Sequence, residues 1–145
     1  DLHLQAAWPE LRRRFQVVAR ADLFLTSTYR SAPVQQALYS QGRTTPGIPC
    51  WHQGEVAARV VGNCALHPLG LTVTDCDGIN KKSNHNFYPS HAFDVCVDSD
   101  VSDLKVVVTW DKMRYQPLIE LCRGLGLVSG GSWKKADWPH VELPK

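Results

Sequence analysis

Several things are missing from this chain of 145 residues, and each absence closes off a class of protein. There is no Cys-x-x-Cys pair. Cys50, Cys64, Cys76, Cys96 and Cys122 are odd in number and widely spaced, so a four-cysteine metal site has no signature here. A disulfide framework is disfavoured too, because a chain this long buries an ordinary core without staples. No apolar run approaches the roughly 20 residues that cross a bilayer, and the first residues lack the charged start and apolar stretch of a secretory signal. The expectation is a soluble protein made in a cytoplasm, with no membrane insertion. A net charge of +2 and a pI near 8.3 are too mild to point to a nucleic-acid partner. No internal repeat or low-complexity stretch is visible.

What is present is the composition of one soluble globular domain, 43% hydrophobic and 21% charged. Pro9 suits the first turn of a helix in which Leu11, Phe15, Val18 and Ala19 recur at helical spacing. Arg12, Arg13 and Arg14 then read as its solvated face. Leu23 to Thr28 alternates as a strand, and Ser31 is placed to cap a second helix carrying Val34 and Leu38. From about 45 to 82 prolines and glycines break the pattern repeatedly. That stretch reads as a long insertion rimming a cleft, with a short helix over Glu55 to Val61 and a short strand over Leu71 to Thr74. Cys50, Cys64 and Cys76 lie in it, where one disulfide can form in an oxidising compartment, whereas Cys96 and Cys122 sit in apolar patterns as core thiols. Lys105 to Thr109 is β-branched and reads as strand or helix lead-in. Leu118 to Cys122 reads as a helix opened by Pro117 and stopped by Gly124. Leu125 to Val128 and Val141 to Leu143 read as short strands flanking a Gly130-Gly131 turn. Helices come first and short strands cluster late, which makes the class α+β.

The residues that carry chemistry cluster around three of these segments. Ala92 to Val97 puts Ala92, Asp94 and Cys96 on one face and Phe93, Val95 and Val97 on the other. A carboxylate aimed from a buried strand is costly unless it meets a cation. His85 stands in a polar loop just before this strand. His140 and Glu142 share one side of a later strand whose other side is Val141 and Leu143. Two histidines and a carboxylate form a known ligand set for a catalytic zinc with one open position. Asp137, three residues before His140, adds the base that a hydrolase needs to take a proton from water. Glu142 is placed to orient a ligand from behind. His3, His52 and His67 have no such company and read as surface residues.

The run from Ser83-x-His85 to Ala92-x-Asp94, then Asp137-x-Pro139-His140-x-Glu142, resembles the zinc D-alanyl-D-alanine carboxypeptidases and L-alanyl-D-glutamate peptidases. Ser27-Thr28-Tyr29-Arg30-Ser31, Leu38-Tyr39-Ser40-Gln41-Gly42-Arg43-Thr44 and the Gly126 to Trp133 segment are similar to further motifs of that family, in the same order, from about Phe24 to Leu143. The resemblance implies a hedgehog-type α+β fold: a small antiparallel sheet packed with helices, as a single domain over 1–145. It implies Zn2+ held by His85, Asp94 and His140, with Asp137 as catalytic base. It places Arg30 near the metal, on an oxyanion or a substrate carboxylate, and puts Tyr29, Ser83, Gln41 and Arg43 among the substrate-binding residues. The Leu-Tyr-x-Gln-Gly-Arg-Thr form is closest to phage endolysins. The spacing between His85 and Asp94 is wider than the family's by two residues, which leaves His91 as a rival first ligand.

The function so implied is hydrolysis of the peptidoglycan stem peptide at the L-alanyl-D-glutamate bond, by a monomer held in the host cytoplasm until holin-dependent release to the cell wall. Two other readings stay open: a D,D-carboxypeptidase or dipeptidase acting on terminal D-alanine, and a zinc-stabilised wall-binding module without catalysis.

Overall fold

A computed structural model of the chain describes residues 1–47, 69, 71–100 and 107–145. They fall into two compact units, Asp1–Tyr29 with Phe87–Lys145, and Arg30–Asn86.

The first unit opens with helix α1, Leu2–Ala19. It begins two turns before Pro9 rather than at it. The reason is the stripe Leu4, Ala7, Leu11 and Phe15, which buries one side of the helix through the proline. Gln5 and Pro9 both lie on the exposed side, where water can take the carbonyl that proline leaves without a helical donor. The arginines are solvated as the charge pattern implies: Arg13 and Arg14 both pair with Glu10, and Arg12 reaches Asp22.

Among the described residues five strands then build one sheet: β1 (Asp22–Ser27), β2 (Ala92–Asp98), β3 (Val108–Thr109), β4 (Val128–Ser129) and β5 (His140–Glu142). The order is β1-β2-β5-β4, every pairing is antiparallel, and β3 pairs with the far end of β2. β2 is the central strand. The alternation read from its sequence is the one observed, with Phe93, Val95 and Val97 in the core. Helix α3, Lys112–Arg123, is capped by the Asp111 carboxylate, which accepts the Met113 N–H at 3.0 Å. It starts six residues earlier than Leu118, so Pro117 sits inside it and does not open it. Tyr115, Leu118 and Cys122 bury its inner face against α1 and the sheet. The chain leaves through Gly124 and turns at Gly126, whose φ of 69° favours glycine. An α+β unit with helices against an antiparallel sheet is thus what forms.

In the second unit helix α2, Ala32–Ser40, starts where Ser31 marks it, although the Ser31 side chain makes no capping bond. Its buried residue is Gln35, while Val34 is exposed. The Gln35 amide donates to Thr74 Oγ1 at 3.2 Å and to the Cys76 carbonyl at 3.0 Å. Residues 71–74 form no strand. The expected helix over 55–61, most of the insertion, and Cys50 and Cys64 lie outside the described residues. Cys96 and Cys122 are free, buried thiols.

Candidate metal centre

The sheet register assembles the centre of the first unit. Antiparallel pairing of β2 with β5 sets Asp94 directly opposite His140, and Ala92 opposite Glu142. Val141 between them is fully buried in the core, so His140 and Glu142 are driven to the same opposite face. There the imidazole lies between two carboxylates. Nδ1 is 3.0 Å from Asp94 Oδ1, and Nε2 is 3.0 Å from Glu142 Oε2.

Burial alone would push the His140 imidazole down, but hydrogen bonds to Asp94 and Glu142, with the charges of Asp94 and Asp137, hold it at about 9. Such a ring favours its protonated form at neutral pH. The geometry fits a metal ion as well. Bonds of 2.0–2.2 Å in tetrahedral coordination set neighbouring ligand atoms about 3.3 Å apart, close to the spacing between Nδ1 of His140 and the Asp94 oxygen. Nδ1 is then the nitrogen able to bind, and Glu142 holds Nε2, the arrangement of a carboxylate that orients a ligating imidazole.

Asp137 is exposed and reaches the centre through its backbone. Its carbonyl accepts the His140 N–H at 3.1 Å, closing a turn. Pro139 in that turn accepts the Val95 N–H at 3.0 Å, which ties it to the central strand. Trp133, to which the sequence attaches no role, lays its ring 5.0 Å from the His140 ring. No periodicity marks it, because the turn that brings it there is irregular.

His91 lies flat against Phe87, with ring centroids 4.5 Å apart. Tyr29 meets Tyr88 edge to face at 5.4 Å, and both rings are exposed.

The remaining site residues of the sequence reading belong to the second unit. His85 is buried on a single 3-10 turn, Asn84–Asn86. Its carbonyl accepts the Arg30 N–H at 2.9 Å, and the Asn86 amide donates to the Arg30 carbonyl at 2.8 Å. The Arg30 backbone is therefore locked to the His85 turn. Ser83 closes that turn, its N–H and hydroxyl both bonding to Asn86 Oδ1. Gln41 ends α2. The Arg43 guanidinium lies over the Tyr39 ring and donates to the Tyr39 and Thr74 carbonyls at 2.6 and 3.0 Å.

No protein-family model matches the chain. In sequence it is 27% identical, over 123 residues, to the peptidoglycan L-alanyl-D-glutamate endopeptidase CwlK of Bacillus subtilis. The chain is a relative of that endopeptidase. The match takes in 84% of the chain and spans about 60% of the relative's length. It bears out the family resemblance carried by the motifs. Among solved structures, the L-Ala D-Glu endopeptidase ChiX of Serratia marcescens is similar with a TM-score of 0.47 and 20% identity, over 94% of this chain and 79% of that one.

Proposed function

We propose that this chain is a zinc-dependent peptidase that cuts the peptidoglycan stem peptide at the L-alanyl-D-glutamate bond. The observation that carries the reading is the His140 imidazole clasped between Asp94 and Glu142 on adjacent strands, in a relative of an enzyme named for that bond. Asp94 and His140 are two of the metal ligands, and the family resemblance of the Ser83-x-His85 motif makes His85 the third. His85 stands only seven residues before β2 begins and is buried on an ordered turn, which suits a ligand more than a surface residue.

A zinc ion held there would bring the pKa of a bound water toward neutrality and polarise the scissile carbonyl. The chain's own residues supply the rest. Asp137, on an exposed turn three residues before His140, accepts the water's proton and returns it to the leaving amine. Arg30 is permanently cationic with a planar fork of donors, suited to the developing oxyanion or to the free carboxylate of D-glutamate. Tyr29, Ser83, Gln41 and Arg43 complete the substrate-binding set. The place of action is the bacterial cell wall, and the motif around Gln41 to Thr44 fits a phage endolysin.

The test is digestion of purified peptidoglycan by the zinc-loaded protein. The proposal expects a new D-glutamate amino terminus, lost on chelation and restored by zinc. Release of free D-alanine instead would move the assignment to a carboxypeptidase. Binding to the wall with no cleavage would leave a binding module.

A further inference from the structure

Building on that reading, we propose that Gly130 is a positioning residue that fixes the proposed base Asp137 against the ligand His140. Gly130 is buried at the end of β4 and begins the 3-10 turn Gly130–Ser132. Its carbonyl accepts two N–H groups, from Trp133 at 3.2 Å and from Asp137 at 3.0 Å. One oxygen thus anchors both the ring that lies against His140 and the backbone of the base.

The other side of Gly130 is in closer contact still. A Cβ there would stand 2.5 Å from the Asp137 carbonyl oxygen, 3.0 Å from His140 Cβ and 3.3 Å from Asp137 Cβ. The Asp137 oxygen is the same atom that accepts the His140 N–H. Gly130 does not have a positive φ, so backbone conformation does not demand glycine. Space demands it. The absent side chain is what lets the Asp137–His140 turn seat directly on the end of β4.

A methyl group at this place forces one neighbour to give way. His140 is held by its pairing with β2 and by bonds at both ring nitrogens. Asp137 lies outside any strand and is exposed. The turn bearing Asp137 is therefore what yields, and the base moves while the ligand stays. The Gly130–Ser132 turn on which it rests is held more firmly. Ser132 Oγ donates to the Ser129 carbonyl at 2.7 Å, and Ser129 Oγ accepts the Gly131 N–H at 3.3 Å.

The experiment compares wild type, Gly130→Ala, Asp137→Asn and the double variant for kcat and KM on peptidoglycan fragments, for zinc affinity by titration, and for thermal unfolding. Gly130→Ala should fold and bind zinc within about threefold of wild type with KM little changed, yet lose about 100-fold in kcat, the scale of a misplacement near 1 Å. The double variant should be no slower than Asp137→Asn alone, because both changes act on one group. A purely structural role would instead give losses that add. The inference is overturned if Gly130→Ala keeps kcat within about threefold, if the losses add, or if zinc affinity falls in step with kcat. Should Gly130→Ala fail to fold, Ser132→Ala loosens the Gly130–Ser132 turn that carries the Gly130 carbonyl, without adding atoms. A fall in kcat with zinc retained supports the inference, and an unchanged kcat overturns it. An inactive wild type would defeat the proposed function itself, whereas an active wild type with an unaffected Gly130→Ala defeats only this inference.

Discussion

His140 Nε2 lies 3.0 Å from the carboxylate of Glu142, two positions further along the same strand. The period of a strand brings them to one face, and Val141 between them anchors the other face in the core. Glu142 thereby holds the ring so that Nδ1 is presented beside Asp94. Replacing Glu142 by Gln keeps the shape and removes the charge. Zinc affinity, measured by competition with a chromophoric chelator, should fall about 10- to 100-fold. Unchanged affinity would mean that Glu142 does not orient the ligand.

The core contains a second polar bridge with a purely structural role. The Tyr115 hydroxyl accepts the Val97 N–H at 3.3 Å and donates to the Thr109 carbonyl at 3.1 Å, joining α3 to β2 and β3. Tyr115→Phe leaves a buried backbone N–H without this partner. Urea unfolding should show a loss of about 1–3 kcal/mol, with catalysis at low denaturant unaltered.

Acid stability should depend on Arg12 and Asp22. The Arg12 guanidinium hydrogen-bonds Asp22 in a two-pronged pair and holds its carboxyl below the usual value, with the Leu23 N–H helping. A lowered folded value gives stability that is present above about pH 4 and lost as pH falls through the folded value. Arg12→Met should therefore be less stable than wild type near neutrality and converge with it in acid. The gap should not exceed about 1 kcal/mol, because Arg12 is exposed enough for solvent to screen the pair. A gap that widens toward low pH would contradict this.

The sheet at the centre was legible in the sequence because period-2 alternation is short-range information. Asp94 between Phe93 and Val95, and His140 and Glu142 around Val141, announce which side chains share a face. Helix starts were less legible. A stripe of burial through Leu4 and Ala7 outweighs the local preference of Pro9 for a first turn, and α3 is set by the Asp111 cap rather than by Pro117. On α2, the burial of Gln35 in place of Val34 depends on Thr74 and Cys76, about forty residues away, and no local pattern reports them. Trp133 and Gly130 owe their places to an irregular turn, where neither the helical nor the strand period applies.

The most direct test of the central claim sets Asp137→Asn beside wild type, both loaded with zinc, on purified peptidoglycan. Zinc content and the amount of new D-glutamate amino terminus are measured on the same samples. The variant should keep its zinc and lose cleavage by about 100-fold or more, the usual range for removing a positioned base. Full cleavage by a zinc-loaded Asp137→Asn would contradict the claim.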